Sequence, residues 1–427
     1  MNYTQNNKIK QITPSTLIIG IDIAKEKNVA RAQDDRGIEF GKRLFFDNRI
    51  EGFELLLDWV SRHQKENNKT HVIFGVEPTG HYWINLAYYL AIKKYDFVLV
   101  NPMHVKKSKE LDDNSPTKND TKDARVIAQL IKDGRYSVPN LLEGIYAELR
   151  EGVKLRDQLV KQLMIVEGRI QNNVQRYFPE FFDVFSDWKG KASLCTLRHF
   201  PFPSEIVHLK AEEILASWKT TVKRGVGMKR AMKLLNTAKK SIGITIGLRF
   251  ARREIHSLLD QYELYRSQID ELDQELQVLV EDVPGAKEMI QIPGLGATTV
   301  AVFFAEVGDV RNYSHPQQLV NLAGLSLKED SSGKHKGQSR ISKRGRKRLR
   351  RALYLAVRPM VRHNPTFKAL HNHYISRTER PLKRQQSLIA LCCKLLRVLF
   401  VIGQKQCEFD GSKLLQGLPQ VNELQIA

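Results

Sequence analysis

The chain of 427 residues is 42% hydrophobic, enough material for about two or three packed domains. Sixty-eight Lys and Arg against 47 Asp and Glu leave a net charge of +21 and a pI near 9.7, which points to a polyanionic partner, nucleic acid above all. Cys195, Cys392, Cys393 and Cys407 form no Cys-x-x-Cys pair and have no zinc spacing, so neither a disulfide framework nor a zinc site is expected. The opening residues are too polar for a signal peptide. Residues 388–402 carry Lys394 and Arg397 and read as a buried helix, not a membrane span, and the cysteine usage fits a reducing cytosol.

Leu17-Ile18-Ile19-Gly20-Ile21-Asp22 is an apolar run broken by one carboxylate, the pattern of a buried strand. A lone acid in a core strand needs a partner, of which a metal ion is one; taken alone, Asp22 reads first as a strand end that reaches solvent or caps a turn. Residues 28–33 and 38–46 read as two further strands across the turn Asp34-Asp35-Arg36-Gly37, and 50–64 have helical periodicity. Val72-Ile73-Phe74-Gly75-Val76 is another buried strand and runs into Glu77-Pro78-Thr79-Gly80, followed by a helix over 81–93 and a strand over 97–100. Three strands in order, then strand and helix alternating, imply a mixed α/β sheet. After the basic stretch 106–118 a helix is expected over 120–132. Asp120 sits at its N-cap or first turn, and Asp123 on the same face three residues later.

From Tyr146 the pattern changes. Tyr146, Leu149, Val153, Val160, Leu163, Ile170, Val174 and Tyr177 keep a heptad spacing, with Arg156 and Glu167 as polar exceptions. A second run goes from Ile255 to Leu279, so two long helices should form an antiparallel hairpin or pair with a partner chain. Between them, 181–250 reads as helical and basic, with turns at Pro201-Phe202-Pro203 and Gly225-Val226-Gly227. Ile292-Pro293-Gly294-Leu295-Gly296 resembles a helix-hairpin-helix turn. The backbone at Gly294 and Gly296 then either faces a phosphate or simply packs, and both readings stand. Residues 326–352 are read as the most basic stretch. Lys334, Lys336, Arg340, Lys343, Arg344, Arg346 and Lys347 are candidate nucleic-acid contacts, continuing through Arg348, Arg350 and Arg351. The expected division is a tail (1–16), an α/β domain (17–140), a helical coiled-coil region (145–284), a mainly helical C-terminal domain (285–405) and a second tail (406–427).

Two constellations carry chemistry. Asp22, Glu77, Asp120 and Asp123 lie at two strand ends and on one helix face; if they converge, they need a hard divalent cation such as Mg²⁺. Ser331-Ser332-Gly333 lies among cations that would stabilise charge on phosphorus, although Ser-Ser-Gly is also ordinary loop chemistry.

Three segments resemble the acid motifs of the DEDD transposases, in the IS-one-ten family of bacterial insertion sequences. They are Gly20-Ile21-Asp22-Ile23-Ala24-Lys25, Glu77-Pro78-Thr79-Gly80-His81-Tyr82 and Lys118-Asn119-Asp120-Thr121-Lys122-Asp123-Ala124. Ile292-Pro293-Gly294-Leu295-Gly296, Ala323-Gly324-Leu325, Ser332-Gly333 and Ile341-Ser342-Lys343-Arg344-Gly345 resemble that family's second domain. The resemblance implies an RNase H-like (RuvC-like) first domain in which Asp22, Glu77, Asp120 and Asp123 bind Mg²⁺. It also implies a catalytic serine at Ser332, with Ser331 adjacent, that links covalently to DNA in a homo-oligomer (dimer or tetramer). Donor and target DNA would be chosen by a structured non-coding guide RNA. The alternatives are a metal-only RuvC-like junction nuclease with a structural Ser332, and a non-catalytic nucleic-acid-binding scaffold.

Overall fold

A computed structural model describes residues 5–112, 120–328, 331–332, 335–336 and 340–416. They fall into two compact units, Met1–Leu142 and Glu143–Ala427.

The first unit holds six strands: β1 (Thr16–Asp22), β2 (Lys27–Gln33), β3 (Glu39–Asp47), β4 (His71–Val76), β5 (Asp96–Val100) and β6 (Tyr136–Ser137). Their order is β3-β2-β1-β4-β5-β6. The β1–β2, β2–β3 and β5–β6 pairs are antiparallel, whereas β4 runs parallel to both β1 and β5, so the sheet is mixed as expected. Its helices are α1 (Gln5–Lys10), α2 (Ile50–Glu66), α3 (Trp83–Ile92), α4 (Pro102–Asp112) and α5 (Asp120–Lys132). Residues 5–16 fall in the stretch expected to be a tail. They instead form α1 and lead into β1, with Gln5 and Lys8 donating to the carbonyls of Asp133 and Tyr136.

Both faces of β1 are covered, which is why its sequence is a continuous apolar run and not an alternation. Leu17, Ile19 and Ile21 join Phe53, Leu56 and Trp59 of α2 and Leu86 and Leu90 of α3 in one core. Ile18 joins Ile73, Val98 and α5 residues Ile127, Ala128 and Ile131 in the other. Gly20 and Gly75 are register partners in β1 and β4 on the α5 side. A Cβ at Gly20 would lie 2.1 Å from the Ala124 carbonyl oxygen, and one at Gly75 would lie 2.4 Å from Ile131 Cδ1. This glycine pair lets α5 lie directly on the sheet and sets where its first turn ends up.

In the second unit α6 (Gly144–Tyr177) and α12 (Leu248–Glu281) are 34 residues each. Leu149 and Val153 share a core with Leu272 and Leu276, while Val166, Ile170 and Val174 share another with Ile255, Leu258 and Tyr262. The two helices therefore pair antiparallel within one chain. Arg156, a polar exception in the seam, makes a two-pronged contact with Asp273 at 2.5 and 2.9 Å, and Glu167 pairs with Lys189 at 2.6 Å. At the far end α7 (Phe181–Val184), α8 (Lys191–His199), α9 (Pro203–Ile206), α10 (Ala211–Thr221) and α11 (Met228–Ala238) form a cap. Its core includes Phe181, Trp188 and Trp218, whose indole N–H donates to buried Thr196 Oγ1 at 2.9 Å.

At the near end are α13 (Ala286–Ile290), α14 (Ala297–Val307), α15 (Pro316–Leu322), α16 (Lys347–His363), α17 (Pro365–Ser376), α18 (Arg384–Lys405) and α19 (Gly411–Leu415). The core around them runs from Leu149 to Ile402, so one packed body spans the division expected at 284/285. Helix α18 is the one described helix long and apolar enough to cross a membrane. It buries Leu391, Leu395, Leu396, Leu399 and Ile402 in this core.

Because the Gly20 Cβ would meet backbone, Gly20→Ala must push α5 off the sheet. The expected cost is about 2–3 kcal/mol, read as earlier urea unfolding of the first unit. An unchanged midpoint would mean that α5 shifts freely.

Candidate catalytic carboxylates and basic arm

Ile21 and Val76 are register partners in parallel strands. Asp22, the last residue of β1, and Glu77, the residue after β4, therefore leave the sheet side by side at its carboxyl edge, where open α/β sheets gather ligands. The contact at Gly20 brings the start of α5 to the same edge, and with it Asp123, which is 9% exposed. Asp123 Oδ1 faces the Lys109 ammonium of α4 in an ion pair that lacks good hydrogen-bond geometry. Burial raises the proton affinity of Glu77 above the ordinary carboxyl range; the Lys109 charge opposes this and the Asp123 charge adds to it. Glu77, Asp123 and Lys109 thus share one electrostatic neighbourhood.

Asp22 is half-buried, and of Asp120 only the backbone, at the first position of α5, is described. Among the described residues no three His, Cys, Asp or Glu side chains group as a metal centre. The donors present are hard carboxylate oxygens, the chemistry Mg²⁺ prefers, and one of them is a buried oxygen without a proper donor. The cation that Asp123 meets is Lys109. Sequence reasoning missed Lys109 because a lysine inside the basic stretch 106–118 carries no signal that separates it from Lys106 or Lys107.

The serine lies in the second unit. β7 (Leu327–Lys328) pairs with β10 (Arg340–Ile341), and β8 (Ser331–Ser332) with β9 (His335–Lys336), both antiparallel. In backbone register Ser332 faces His335. Of Ser331, Ser332 and Lys336 the backbone alone is described, and Gly333 and Lys334 lie outside the described residues. The chain returns from β10 through Lys343, which adopts φ of 53° and donates its N–H to Gly324 O at 3.0 Å. A Cβ at Gly345 would lie 2.4 Å from Leu322 O, so the turn into α16 has room only for glycine.

The arginines that follow divide into two sets. Arg346, expected to contact nucleic acid, donates to Glu306 O at 2.5 Å and sits 3.5 Å from Glu306 Oε2. Arg348 reaches Glu306 Oε1 at 2.9 Å and Asp157 Oδ2 at 2.5 Å, and Arg350 donates to Ala323 O at 2.7 Å. These three hold α16 against α6, α14 and α15. Arg340, Lys343, Arg344 and Lys347 are exposed and make no ion pair among the described residues. The glycine turn divides likewise. Gly294 has φ of 87° and its Cβ would meet Met360 at 3.0 Å, whereas Gly296, at the N-cap of α14, has open space around it.

Two family models match the chain. One, described as a transposase and named for the DEDD type of IS110, spans residues 19–179; the other, described as the transposase IS116/IS110/IS902 family, spans 286–372. A "Pilin gene-inverting protein" of Moraxella lacunata is 24% identical over 93% of this chain and 98% of its own length. The "Insertion element IS116 uncharacterized 44.8 kDa protein" of Streptomyces clavuligerus is 23% identical over 67% of this chain and 71% of its own. The "Transposase for insertion sequence element IS1328" of Yersinia enterocolitica is 28% identical over 37% and 47%. The protein is an enzyme of the DNA transposase and recombinase class. It belongs to the IS116/IS110/IS902 family of insertion-sequence transposases.

Glu306, 6% exposed, is the carboxylate shared by Arg346 and Arg348. Glu306→Gln should cost about 2 kcal/mol, less than a fully buried pair because both arginines are partly solvated. Thermal melting of Glu306→Gln, of Arg348→Gln and of the double variant should show the two changes to be non-additive; additive losses would mean independent contacts.

Proposed function

We propose that this transposase cleaves and exchanges DNA strands with Ser332 as nucleophile and with Asp22, Glu77, Asp120 and Asp123 holding Mg²⁺. The observation that carries the reading is the parallel register of β1 and β4, which sets Asp22 beside Glu77, with Asp123 brought in by α5. The strand order β3-β2-β1-β4-β5, antiparallel then parallel, supports an RNase H-like first unit.

In the serine step an Oγ–P bond forms as one P–O bond to deoxyribose breaks. The serine proton leaves, and the departing sugar oxygen gains one. Attack by another strand's hydroxyl on the phosphoserine reverses the bond changes, releases the serine and joins the exchanged strands. Arg340, Lys343 and Arg344 beside the serine hairpin offset the charge that builds on phosphorus. Mg²⁺, when bound, would neutralise the carboxylates and position phosphate oxygens. Asp22 and Glu77 present their oxygens from the strand ends and Asp123 from the helix. The Lys109 ammonium pairs with Asp123 and would compete with a cation for it.

Exposed Leu155, Met164 and Ile165 of α6 and Leu264 and Val278 of α12 support a dimer or tetramer built on the long helices. The family assignment supports a structured guide RNA as well as donor and target DNA, and a site of action in the bacterial cytosol.

On a nicked suicide substrate the wild-type chain should leave a covalent protein–DNA adduct. Ser332→Ala should lose it, with strand exchange down by roughly 10³-fold or more and DNA binding retained. Cleavage without an adduct would favour the metal-only nuclease. Sequencing RNA that co-purifies with the protein tests the guide.

Added Mg²⁺ should raise the melting midpoint of the first unit, and Asp123→Asn should remove that rise. Lys109→Gln should strengthen metal binding, since a competing ammonium is gone. Glu77 keeps its proton to higher pH than an ordinary carboxyl, so metal binding displaces a proton there and weakens as pH falls. A metal response that is the same in all three proteins would refute the acid site.

A further inference from the structure

The net charge of +21 is concentrated in two segments. Residues 326–352 contribute +9 and residues 219–253 contribute +11, leaving +1 for the rest of the chain. The larger share thus lies outside the basic arm, in a 35-residue segment with eleven Lys and Arg and no Asp or Glu.

This segment forms the end of the helical cap. Helix α11 buries Ala231, Leu234 and Ala238 and turns Lys229, Arg230 and Lys233 outward. The α10–α11 loop exposes Lys223 and Arg224, and the run after α11 exposes Lys239 and Lys240. Of the eleven cations only Arg252 makes an ion pair among the described residues, with Glu205. Elsewhere in the same unit arginines are neutralised, as in Arg156 with Asp273 and Arg198 with Asp260 and Glu263. Arg230 and Lys233 donate to the carbonyls of Gly225 and Asp183, which carry no full charge. Ten cations without a carboxylate partner cost self-repulsion that a polyanion removes.

The backbone there is held in place. Glu180 accepts from Ser241 Oγ at 2.5 Å and from Ile242 N at 3.0 Å, and a Cβ at Gly243 would lie 2.0 Å from Tyr177 O. Gly225 (φ 82°) and Gly227, the N-cap of α11, repeat the form of Gly294 (φ 87°) and Gly296, the N-cap of α14. They differ in surroundings: Met360 crowds the Cβ position of Gly294, while a Cβ at Gly225 or Gly227 would meet nothing within 4 Å, and the pair lies between Lys223–Arg224 and Lys229–Arg230, with Arg230 donating to Gly225 O at 3.3 Å. A sugar-phosphate backbone can therefore approach this second turn closely.

We propose that the α10–α11 turn and its flanking cations are a nucleic-acid backbone-binding surface, separate from the basic arm at 326–352. It rests on charge distribution and shape, and neither Ser332 nor the carboxylates enter into it. Duplex DNA and structured RNA share the chemistry that would be recognised.

The test is a salt titration of binding, done separately with a duplex DNA of arbitrary sequence and with a structured RNA. The full-length Ser332→Ala protein is compared with the same chain carrying Lys223→Gln, Arg224→Gln, Lys229→Gln and Arg230→Gln. A charge-matched control carries Lys42→Gln, Lys65→Gln, Lys93→Gln and Lys94→Gln, all at exposed positions of the first unit. The slope of log K against log salt should become shallower by about 3 in the turn variant for at least one nucleic acid, and hardly change in the control. Loss with only DNA or only RNA names the ligand. Equal change in both variants, or none in the turn variant while its melting is unaltered, overturns the proposal.

Discussion

The first unit depends on one close approach, that of α5 to the paired glycines of β1 and β4. Helices normally rest on a sheet at side-chain distance. Here Gly20 and Gly75 remove the intervening side chains, and the Ala124 carbonyl fills the space a Cβ would take. The first turn of α5 is thereby forced to the carboxyl ends of β1 and β4, where Asp22 and Glu77 emerge. Two like charges 4 Å apart repel by about 4 kcal/mol at an effective dielectric near 20, so such a gathering needs a cation. Lys109 is that cation for Asp123, and burial raises the proton affinity of Glu77, with the Asp123 charge adding to it. The geometry that assembles the acids is therefore also what sets Lys109 against Asp123 and raises the proton affinity of Glu77.

In the second unit the constraint is the antiparallel pair of α6 and α12, with a core at each end. At the near end, buried Glu306 on α14 collects Arg346 and Arg348, and Asp157 on α6 collects Arg348 as well. These contacts fix the first turn of α16, so the preceding turn at Gly345 and the base of the serine hairpin inherit a defined position. Arg340, Lys343 and Arg344 are exposed beside this anchored turn. One basic run thus does two jobs, with the inward residues setting the direction of the outward ones.

Much of this was legible in the sequence, for identifiable reasons. The apolar runs 17–21 and 72–76 each end in an acid, and strand ends with acids after them are readable without tertiary information. The heptads of α6 and α12 were readable too. Only the shared cores decide that they meet within one chain, and Arg156 was an exception until Asp273 appeared opposite it. Gly20 and Gly75 were visible as glycines inside strands, a known sign of close backbone approach, but nothing local says what approaches. Lys109 and Arg346 were not separable from their neighbours, because a lysine or arginine is assigned by the carboxylate it meets, and Asp123 and Glu306 are distant in sequence.

The distribution of charge carries the same lesson further. A cation count over 326–352 looks extreme because the arginines are dense, yet Arg346 and Arg348 are neutralised inside the fold and Glu329 and Asp330 offset two more. The segment 219–253 is less dense and draws less notice, but no carboxylate lies within it and almost none of its cations is paired. Free charge, not basic residues, attracts a polyanion, since a guanidinium already bound to a carboxylate releases no counterions. By that measure the cap at the far end of α6 and α12 outweighs the arm at the near end. The long helices then have a physical purpose beyond their own packing: the base of the arm meets α6 at Asp157 and the cap segment meets it at Tyr177, about 30 Å apart along the helix.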